Sequence, residues 1–448
     1  MIDSVTRSVQ RLQADARIPA LTVAVRRNDR PLWTMEVGES GTSRPLDSRT
    51  RLRIGSVTKT FTAVLIMQAR DAGLLDLDDA IGTHLPIPKH GELTLRRLLS
   101  HTAGLQREPF GDVWDTLRVP GAEQFLADLD RAEALYPQSR RFHYSNLAYA
   151  LLGAVAAEKF GASWASLVAD RIAAPLGLES IGPDVDELCA QGFLVDPYSD
   201  HARPEPSTDF GVFGPAAQLW ATAADMATWG AFLADPASAD PDGKVLAAST
   251  LLEMRWPHTV RDDEQWVSGL GLGLMVYPRP QRVLYVGHNG AMPGFLASVY
   301  GRVGGAGNPG GVGVAVLASS GTADEIFPFA HNLVDEVLGA DPPAIAPWRA
   351  GEPAPAAYRS VLGRWWGEGY EYVFRWSDGR LTARGADDPA GLPPSVFEPL
   401  EGDVLRTVSG REVGELLRLH RDSEGVVTRM HWATYRFTRS QETFDGQL

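Results

Sequence analysis

The chain has 448 residues, 44% of them hydrophobic and 9% aromatic, and its 42 basic and 56 acidic residues give a formal net charge of −14. This length predicts two domains, and the composition is that of a folded, soluble protein. The negative charge argues against nucleic acid or an anionic membrane as the main partner. A single cysteine, Cys189, excludes an intrachain disulfide framework and a cysteine-rich zinc site.

The N-terminus has no basic segment followed by an apolar one, and no apolar run reaches the roughly eighteen residues that a membrane span needs. We therefore expect neither a secretory signal peptide nor a membrane-spanning helix. Taking Met1 as the natural start, we expect a cytoplasmic protein.

The first predicted elements surround one apolar helix. Residues 4–16 have the period of an amphipathic helix, and residues 21–25 and 32–38 predict a strand hairpin. The following run, residues 60–72, is apolar on nearly all sides and ends at Gly73. This pattern predicts a central, buried helix with a glycine C-cap.

Ser56 and Lys59 stand three residues apart at the start of that helix. Both side chains then share one face, at the end where unpaired N–H groups favour negative charge and make a lysine easier to deprotonate. Lysine is scarce here, with only Lys59, Lys89, Lys159 and Lys244, and unlike arginine it can accept a proton. The pair predicts a nucleophile and its base.

The central and late parts of the chain predict further helices and strands. The helices are predicted at residues 147–160, 164–172, 222–233 and 325–338. The strands are predicted at residues 270–277, 282–286 and 312–318. Strands at the start and late in the chain, with helices between them, predict a mixed α/β (α+β) fold with a helical insertion rather than alternating βαβ units.

Residues 341–356 are rich in proline and alanine, which predicts a linker between a domain at 1–340 and another at 357–448. The second domain has short strand-like runs separated by glycine and aspartate, including the hairpin signal Asp378-Gly379. The runs are residues 370–376, 380–383, 404–408, 415–420 and 426–437. They predict a small all-β domain, either barrel or sandwich.

Two further motifs are candidates to complete a site around Ser56. Tyr144 and Asn146 are two residues apart and can face one cleft, and a tyrosine near a lysine can lose its proton at lower pH than usual. Alternatively, Asn146 caps the next helix.

His288 and Gly290 follow a predicted strand, where His288 can orient an acyl group and Gly290 lets a substrate approach the backbone. The alternative is a glycine-rich turn with a structural histidine.

The remaining motifs argue against other kinds of catalytic, metal-binding or cofactor-binding site. His101 is interpreted as a structural histidine in a tight turn. There is no Gly-x-Ser-x-Gly elbow and no spaced metal-ligand cluster. The Gly-x-Gly-x-x-Gly at residues 305–310 precedes a strand-like run instead of a helix, so it predicts a flexible loop. We expect neither a cofactor nor a metal.

The motifs, in their order, resemble the serine β-lactamase and penicillin-binding protein superfamily. Ser-x-x-Lys at 56–59, Tyr-x-Asn at 144–146 and His-x-Gly at 288–290 follow one another, and residues 98–105 and 222–226 look similar as well. The resemblance is closest to class C β-lactamases, DD-peptidases and esterases. It implies an antiparallel sheet flanked by helices, followed by a β-barrel like those of some D-aminopeptidases.

The resemblance also implies roles for single residues. Ser56 would be acylated, Lys59 and Tyr144 would share proton transfer, and Asn146 would hold Lys59 and the substrate amide. The backbone N–H groups of Ser56 and Ala291 would form the oxyanion hole, and water would then release the acyl group. The implied partner is a small ester, amide or short peptide, with a homo-oligomer possible.

One departure bears on the substrate. β-Lactamases and DD-peptidases usually carry Lys-Thr-Gly where this chain has His288, Asn289 and Gly290, and losing a fixed positive charge weakens carboxylate recognition. We therefore expect an esterase or D-amino-acid peptidase. The alternatives are a penicillin-interactive DD-carboxypeptidase or weak β-lactamase, and an inactive binding protein on this scaffold. Four aromatic residues are candidates for either pocket or core: Trp114, Phe142, Trp220 and Phe295.

Overall fold

The computed structural model describes residues 2–87, 89–108, 113–261, 264–304, 310–345, 347–389 and 391–441. The chain divides into two compact units, Met1–Gly304 with Pro309–Pro343, and Ala344–Leu448 with Gly305–Asn308. The glycine-rich loop predicted at 305–310 lies, apart from Gly310, outside the described residues.

Helices of the first unit cover both faces of its main sheet. They are α1 (Ile2–Asp15), α2 (Thr58–Asp71), α3 (Leu95–Leu99), α4 (Val113–Thr116), α5 (Ala122–Asp128), α6 (Asn146–Phe160), α7 (Trp164–Val168), α8 (Ala174–Leu176), α9 (Gly214–Ala217), α10 (Ala223–Ala234), α11 (Pro236–Ala239), α12 (Ala248–Met254) and α13 (Ile326–Ala340). Short 3₁₀ turns of the first unit lie at Gly55–Val57, Ile81–Thr83, Leu129–Arg131, Gly211–Phe213 and Pro280–Arg282, and one of the second unit lies at Ala356–Tyr358.

The helix predicted at residues 164–172 does not continue as an α-helix, because α7 passes into a π-helical turn at Ala169–Ala173. Proline has no N–H, so Pro175 cannot bond the carbonyl of Arg171 four residues earlier. That carbonyl instead accepts a hydrogen bond from Gln68 Nε2 of α2, at 3.2 Å. A tertiary contact that the local sequence does not reveal thus replaces a regular helical bond.

The strands of the first unit form one large sheet and two small ones. They are β1 (Ala20–Arg26), β2 (Trp33–Gly38), β3 (Leu52–Arg53), β4 (Phe193–Val195), β5 (Ala202–Pro204), β6 (Trp220–Ala221), β7 (Thr259–Val260), β8 (Gly269–Leu270), β9 (Met275–Arg279), β10 (Val283–Met292), β11 (Phe295–Val303) and β12 (Val312–Ala318). The large sheet has the antiparallel order β2-β1-β12-β11-β10-β9-β8-β7, while β3 pairs with β6 and β4 with β5.

The large sheet separates two hydrophobic layers. Along β12, Val314 and Val316 join the core formed with α1 and α13, whereas Ala315 and Leu317 join the core formed with α2, α6 and α10. This alternation is what a strand with both faces buried requires. The predicted mixed fold with an antiparallel sheet flanked by helices is confirmed.

Three strand predictions need correction. The run at 270–277 is two short strands, β8 and β9, because Gly271 and Gly273 approach other backbone and side-chain atoms too closely to carry a Cβ. The strand predicted at 282–286 continues to Met292, since its partner β11 supplies pairing along its whole length. We did not predict β11, which turns back from β10 at the Pro293-Gly294 turn.

The second unit is a nearly closed, barrel-like antiparallel sheet whose strands follow chain order. They are β13 (Gly363–Gly367), β14 (Tyr370–Ser377), β15 (Arg380–Gly385), β16 (Ser395–Pro399), β17 (Val404–Ser409), β18 (Leu416–Arg421), β19 (Val427–Trp432) and β20 (Tyr435–Phe437). Backbone hydrogen bonds of 2.8 and 2.9 Å join Trp366 of β13 to Thr438, the residue that follows β20. The prediction missed β13 and β16.

The interior of this sheet is filled by aromatic and aliphatic side chains. Trp365, Phe374, Phe397, Trp432 and Phe437 pack together and are each at most 2% exposed. Across the described residues of both units, no helix combines the length and apolarity needed to cross a bilayer.

Candidate active site

Ser56 lies in the 3₁₀ turn Gly55–Val57, directly before the first residue of α2. Gly55 has a φ of +51°, which a residue without a Cβ adopts readily. The turn is anchored from Ile54, whose N–H donates to Leu219 O at 3.0 Å. Ser56 therefore sits at the positive end of a helix that is buried along almost its whole length.

Lys59 is completely buried one helical turn beyond Ser56. Its Nζ lies 3.0 Å from Ser56 Oγ, 2.7 Å from Asn146 Oδ1 and 2.8 Å from Ala216 O. Burial lowers the pKa of Lys59 well below its usual 10.5, and the nearby carboxylate of Glu108 only partly opposes this. The sequence-predicted pair is brought into direct contact, and burial favours the neutral form of the lysine.

Tyr144 faces the same two residues from the loop before α6. Its ring stacks on His101, with 4.3 Å between ring centroids, and Lys59 Nζ lies 4.8 Å from its ring centroid. Burial raises the pKa of Tyr144 above its usual 10, although a hydrogen bond with Ser56 acts in the opposite direction. The expectation of a lowered tyrosine pKa was therefore wrong, because desolvation disfavours the phenolate more than its neighbours favour it.

Asn146 is the first residue of α6 and points into the site. The helix is capped by Ser145, whose Oγ accepts from Ala148 N at 3.0 Å, so the alternative of an Asn146 cap was wrong. Asn146 Oδ1 accepts from Lys59, and its Nδ2 donates to Glu108 Oε1 at 2.9 Å. His101 is a buried turn residue with φ +56° whose Nδ1 accepts from the backbone N–H of Ser145.

The strand β10 carries the third motif against the turn that holds Ser56. A Cβ added at Gly290 would lie 1.9 Å from Ile54 O, and one added at Gly55 would lie 2.6 Å from Ala291 N. Only glycine permits this approach of two backbones. The backbone at Ser56 thereby lies close to the backbone at Gly290 and Ala291. The motif lies within the strand and not in a turn after it.

His288 is 2% exposed and its ring centroid lies 6.0 Å from that of Tyr144. Its Nδ1 is hydrogen-bonded to the carbonyl of Asn289, whereas its buried Nε2 has no partner. A carbonyl only accepts, so Nδ1 carries the hydrogen and Nε2 is an acceptor. Burial, with the nearby charge of Lys59, lowers the pKa of His288 to about 3. The imidazole is neutral at physiological pH.

These residues line a cavity of about 680 Å³ that contains Ser56, Tyr144, Asn146, His288 and Gly290 to Met292. Trp114 and Phe142 line it too, whereas Trp220 and Phe295 contact each other in the core, at 5.1 Å between ring centroids. Among the described residues, no group of three or more metal-ligating side chains is placed to hold a metal ion.

The sequence did not reveal three charged residues of this cavity, namely Arg107, Glu108 and Arg261. Glu108 Oε1 accepts from Asn146 Nδ2 and from Arg107 Nε at 3.0 Å, and its buried Oε2 has no partner. Neither arginine nor glutamate is unusual in a loop. Arg107 and Glu108 stand two and three residues after the 98–105 motif, which is the only local signal for them, and Arg261 has no such signal.

The family model described as Beta-lactamase matches residues 5–338, and one described as a domain of unknown function (DUF7586) matches residues 354–439. Penicillin-binding protein 4 of Amycolatopsis lactamdurans is 31% identical over 340 residues, which cover 70% of this chain and 84% of that protein. Beta-lactamase-like protein 2 of Dictyostelium discoideum is 29% identical over 275 residues, or 57% of this chain. The chain spans about half (48%) of the latter's length.

Solved structures are similar over almost the whole chain or over about three quarters of it. SurE is 25% identical with a TM-score of 0.62 over 98% of both chains, and a complex of SurE with D-Leu gives 25% and 0.57, over 98% of this chain and 99% of that one. A D-stereospecific amidohydrolase from Streptomyces sp. is 24% identical with a TM-score of 0.60, over 74% of this chain and 97% of its own.

Proposed function

The chain belongs to the beta-lactamase family, and from this premise we propose that it is a serine hydrolase that cleaves small esters or D-amino-acid amides through an acyl-Ser56 intermediate. The proposal extends the family assignment, which gives a β-lactamase-fold serine hydrolase, to a particular bond and acyl group.

The observation that carries the proposal is the set of contacts around Lys59 Nζ. Asn146 Oδ1 and Ala216 O can only accept, so they take two N–H groups of the amine. The third contact is Ser56 Oγ. In a neutral lysine this third position is the lone pair, and it therefore points at the serine hydroxyl. The arrangement supports Lys59 as the base that accepts the Ser56 proton.

In the proposed acylation, Ser56 Oγ attacks the carbonyl carbon while its proton moves to Lys59 Nζ. Tyr144 is neutral because its pKa is raised, so it can donate its proton to the departing oxygen or nitrogen. Lys59 then returns the proton to Tyr144. The net result is an acyl-Ser56 ester and a leaving group that has gained the serine proton.

The negative oxygen that forms during attack would be stabilised by the N–H groups of Ser56 and Ala291. Both belong to backbone that is fixed by the contact of Gly55 with β10. Preorganised donors of this kind contribute about 3 kcal/mol each to transition-state stabilisation. Water then attacks the acyl carbon, passes a proton through Lys59 and Tyr144, and Ser56 regains its hydroxyl hydrogen.

The acyl group is proposed from two findings. Where many relatives place a lysine, neutral His288 offers a buried acceptor, Nε2, which suits an N–H or O–H donor of the substrate better than a carboxylate. A D-amino acid supplies such a donor in its amino group. SurE, which matches almost the whole chain, has been solved with D-Leu.

The test compares purified protein with its Ser56→Ala variant on p-nitrophenyl acetate and on paired D- and L-amino-acid p-nitroanilides. We expect Ser56→Ala to reduce turnover to background and the D-series to be hydrolysed faster than the L-series. A fluorophosphonate probe should label the wild-type protein at Ser56. Unchanged turnover in Ser56→Ala would exclude the mechanism, and absence of labelling would favour an inactive binding protein.

A penicillin-reactive peptidase is the second candidate, because the relative from Amycolatopsis lactamdurans is a penicillin-binding protein. Mass spectrometry after incubation with benzylpenicillin separates the two. An acyl adduct on Ser56 that persists for hours would favour this candidate, whereas no adduct together with ester turnover would favour the first.

A further inference from the structure

A second cavity of about 600 Å³ adjoins the one that contains Ser56. It is lined by the end of α3 and the following turn, by the loop at residues 136–143 and by β7. Phe142 and Arg261 line both cavities. The proposed reaction uses none of the other residues of this second cavity.

The second cavity is strongly cationic in a chain whose net charge is −14. Its lining contains five arginines: Arg96, Arg97, Arg140, Arg141 and Arg261. The single carboxylate in the lining, Asp78, is bound by Arg96 through two hydrogen bonds of 2.8 Å. That pair neutralises itself and leaves four arginines.

These four arginines have no carboxylate partner among the described residues. Arg97 is nevertheless held in place, because its Nε donates to Ser139 Oγ and its NH1 to Gln138 Oε1, both at 2.9 Å. Beside them, His143 Nε2 is buried without a hydrogen-bond partner. Native proteins leave few buried polar atoms unsatisfied, so this combination is typical of a site that binds a polar ligand.

We propose that this arginine-lined cavity binds the carboxylate or phosphate group of a small molecule. A guanidinium offers a planar set of donors that matches both groups, and such charge-assisted bonds are stronger than neutral ones. A fixed Arg97, flanked by Arg140 and Arg141, would bind the anion, and Arg261 would lie on the side towards Ser56.

The anion has two possible sources, since the cavity opens beside the nucleophile. It can be the distal end of the substrate whose acyl group reaches Ser56, or a separate small anion. The first source rests on the proposed function, whereas binding itself does not. Binding and turnover are therefore measured separately.

The binding test is calorimetric titration of the full chain with sodium phosphate and with citrate at constant ionic strength. We expect saturable binding that weakens at least about tenfold in the double variant Arg97→Gln/Arg141→Gln, which loses two charge-assisted bonds. The matched control is Arg7→Gln/Arg11→Gln, which removes the same charge from exposed side chains of α1 that form no ion pair among the described residues. Its affinity should stay within about twofold of wild type.

Absence of saturable binding in the wild type, or equal weakening in the control pair, would overturn the proposal. If thermal melting shows that the double variant is unfolded, Arg140→Glu replaces it, because that side chain is exposed and forms no hydrogen bond among the described residues. The same tenfold loss is expected there.

The source of the anion is tested with p-nitrophenyl hemisuccinate and p-nitrophenyl butyrate. If the ratio of their kcat/KM values falls at least about tenfold in the double variant, the anion belongs to the substrate. An unchanged ratio with phosphate binding lost assigns it to a separate molecule. Phosphate binding without hydrolysis of any ester would refute the proposed function and leave this site standing.

Discussion

The units that contain the two eight-stranded sheets differ in whether their buried polar groups have hydrogen-bond partners. Buried side-chain nitrogens and oxygens without a hydrogen-bond partner occur only in the first unit among the described residues, and they include Glu108 Oε2, His143 Nε2 and His288 Nε2. The second sheet encloses aromatic rings whose buried N–H groups are satisfied, as Trp365 Nε1 is by Val361 O at 2.6 Å. Unsatisfied polar groups cost stability, and these three line the two cavities described above, where a ligand can supply the absent hydrogen bonds.

The largest expected effect comes from the buried amine of the first sheet's unit. Lys59→Ala should lower kcat for p-nitrophenyl acetate by about a thousandfold, since it removes the proposed base. The protein should still fold with only about 1–3 kcal/mol lost, because Asn146 Oδ1 and Ala216 O lose a donor. Thermal melting checks the fold, and Lys159→Ala, at a lysine outside the site, is the control. Near-normal turnover in Lys59→Ala would remove the base assignment.

In the barrel-like sheet we expect a substitution to change mainly the stability and not the turnover. Trp365→Ala should destabilise that sheet by about 3–5 kcal/mol, because a fully buried ring is replaced by a cavity. The ring also lies 3.9 Å below Arg439 Cζ. Hydrogen exchange of the β13–β20 amides in the full chain measures the loss. Trp366→Ala, at the neighbouring half-buried position, should cost much less, and equal costs would contradict the packing described above.

The pH dependence of kcat/KM reports on the buried ionisable side chains of the first unit. Activity requires neutral Lys59, whose pKa is lowered, and protonated Tyr144, whose pKa is raised. Activity should therefore be lost as pH falls through the lowered lysine pKa, and should hold at least to about pH 10, the ordinary tyrosine value. With its pKa at about 3, His288 should add no step near pH 6.5. A profile that keeps rising through pH 10.5 would contradict this.

The smallest expected effect concerns Glu108, which touches the site through Asn146. Its charge raises the pKa of Lys59, so Glu108→Gln should shift the acid limb of the pH profile to lower pH. The hydrogen bond from Asn146 Nδ2 can persist to the new amide oxygen, so kcat should fall less than about tenfold. Glu133→Gln, at an exposed carboxylate, is the control. If the acid limb of the pH profile does not move in Glu108→Gln, Glu108 has only a structural role.

The sequence predicted well those features that local patterns encode. The buried helix α2, the contact of Ser56 with Lys59 and the position of α10 all depend on residues a few positions apart. The mixed fold and the barrel-like sheet followed from the order of such segments. These signals are physical, since helical period and turn chemistry act over one or two turns.

The features that the sequence did not predict correctly depend on contacts between residues far apart in the chain. The glycines at residues 287–290 look like a turn, yet pairing with β11 makes them part of β10. The direction of the Tyr144 pKa shift depends on burial that a loop sequence does not show. The cationic cavity is assembled from α3, a loop and β7, which lie far apart in the chain.

The place of Ala291 has a consequence for how the proposed activity would be acquired during folding. Ala291 follows Ser56 by 235 positions (291 − 56), and the sheet that holds β10 includes the long-range pairing of β1 with β12 and the pairings of β12 with β11 and of β11 with β10. Contacts between such distant segments form late and slowly. During refolding, helical circular dichroism should return before ester turnover. The time at which activity returns would therefore report when the sheet is completed and not when α2, the helix that follows Ser56, forms.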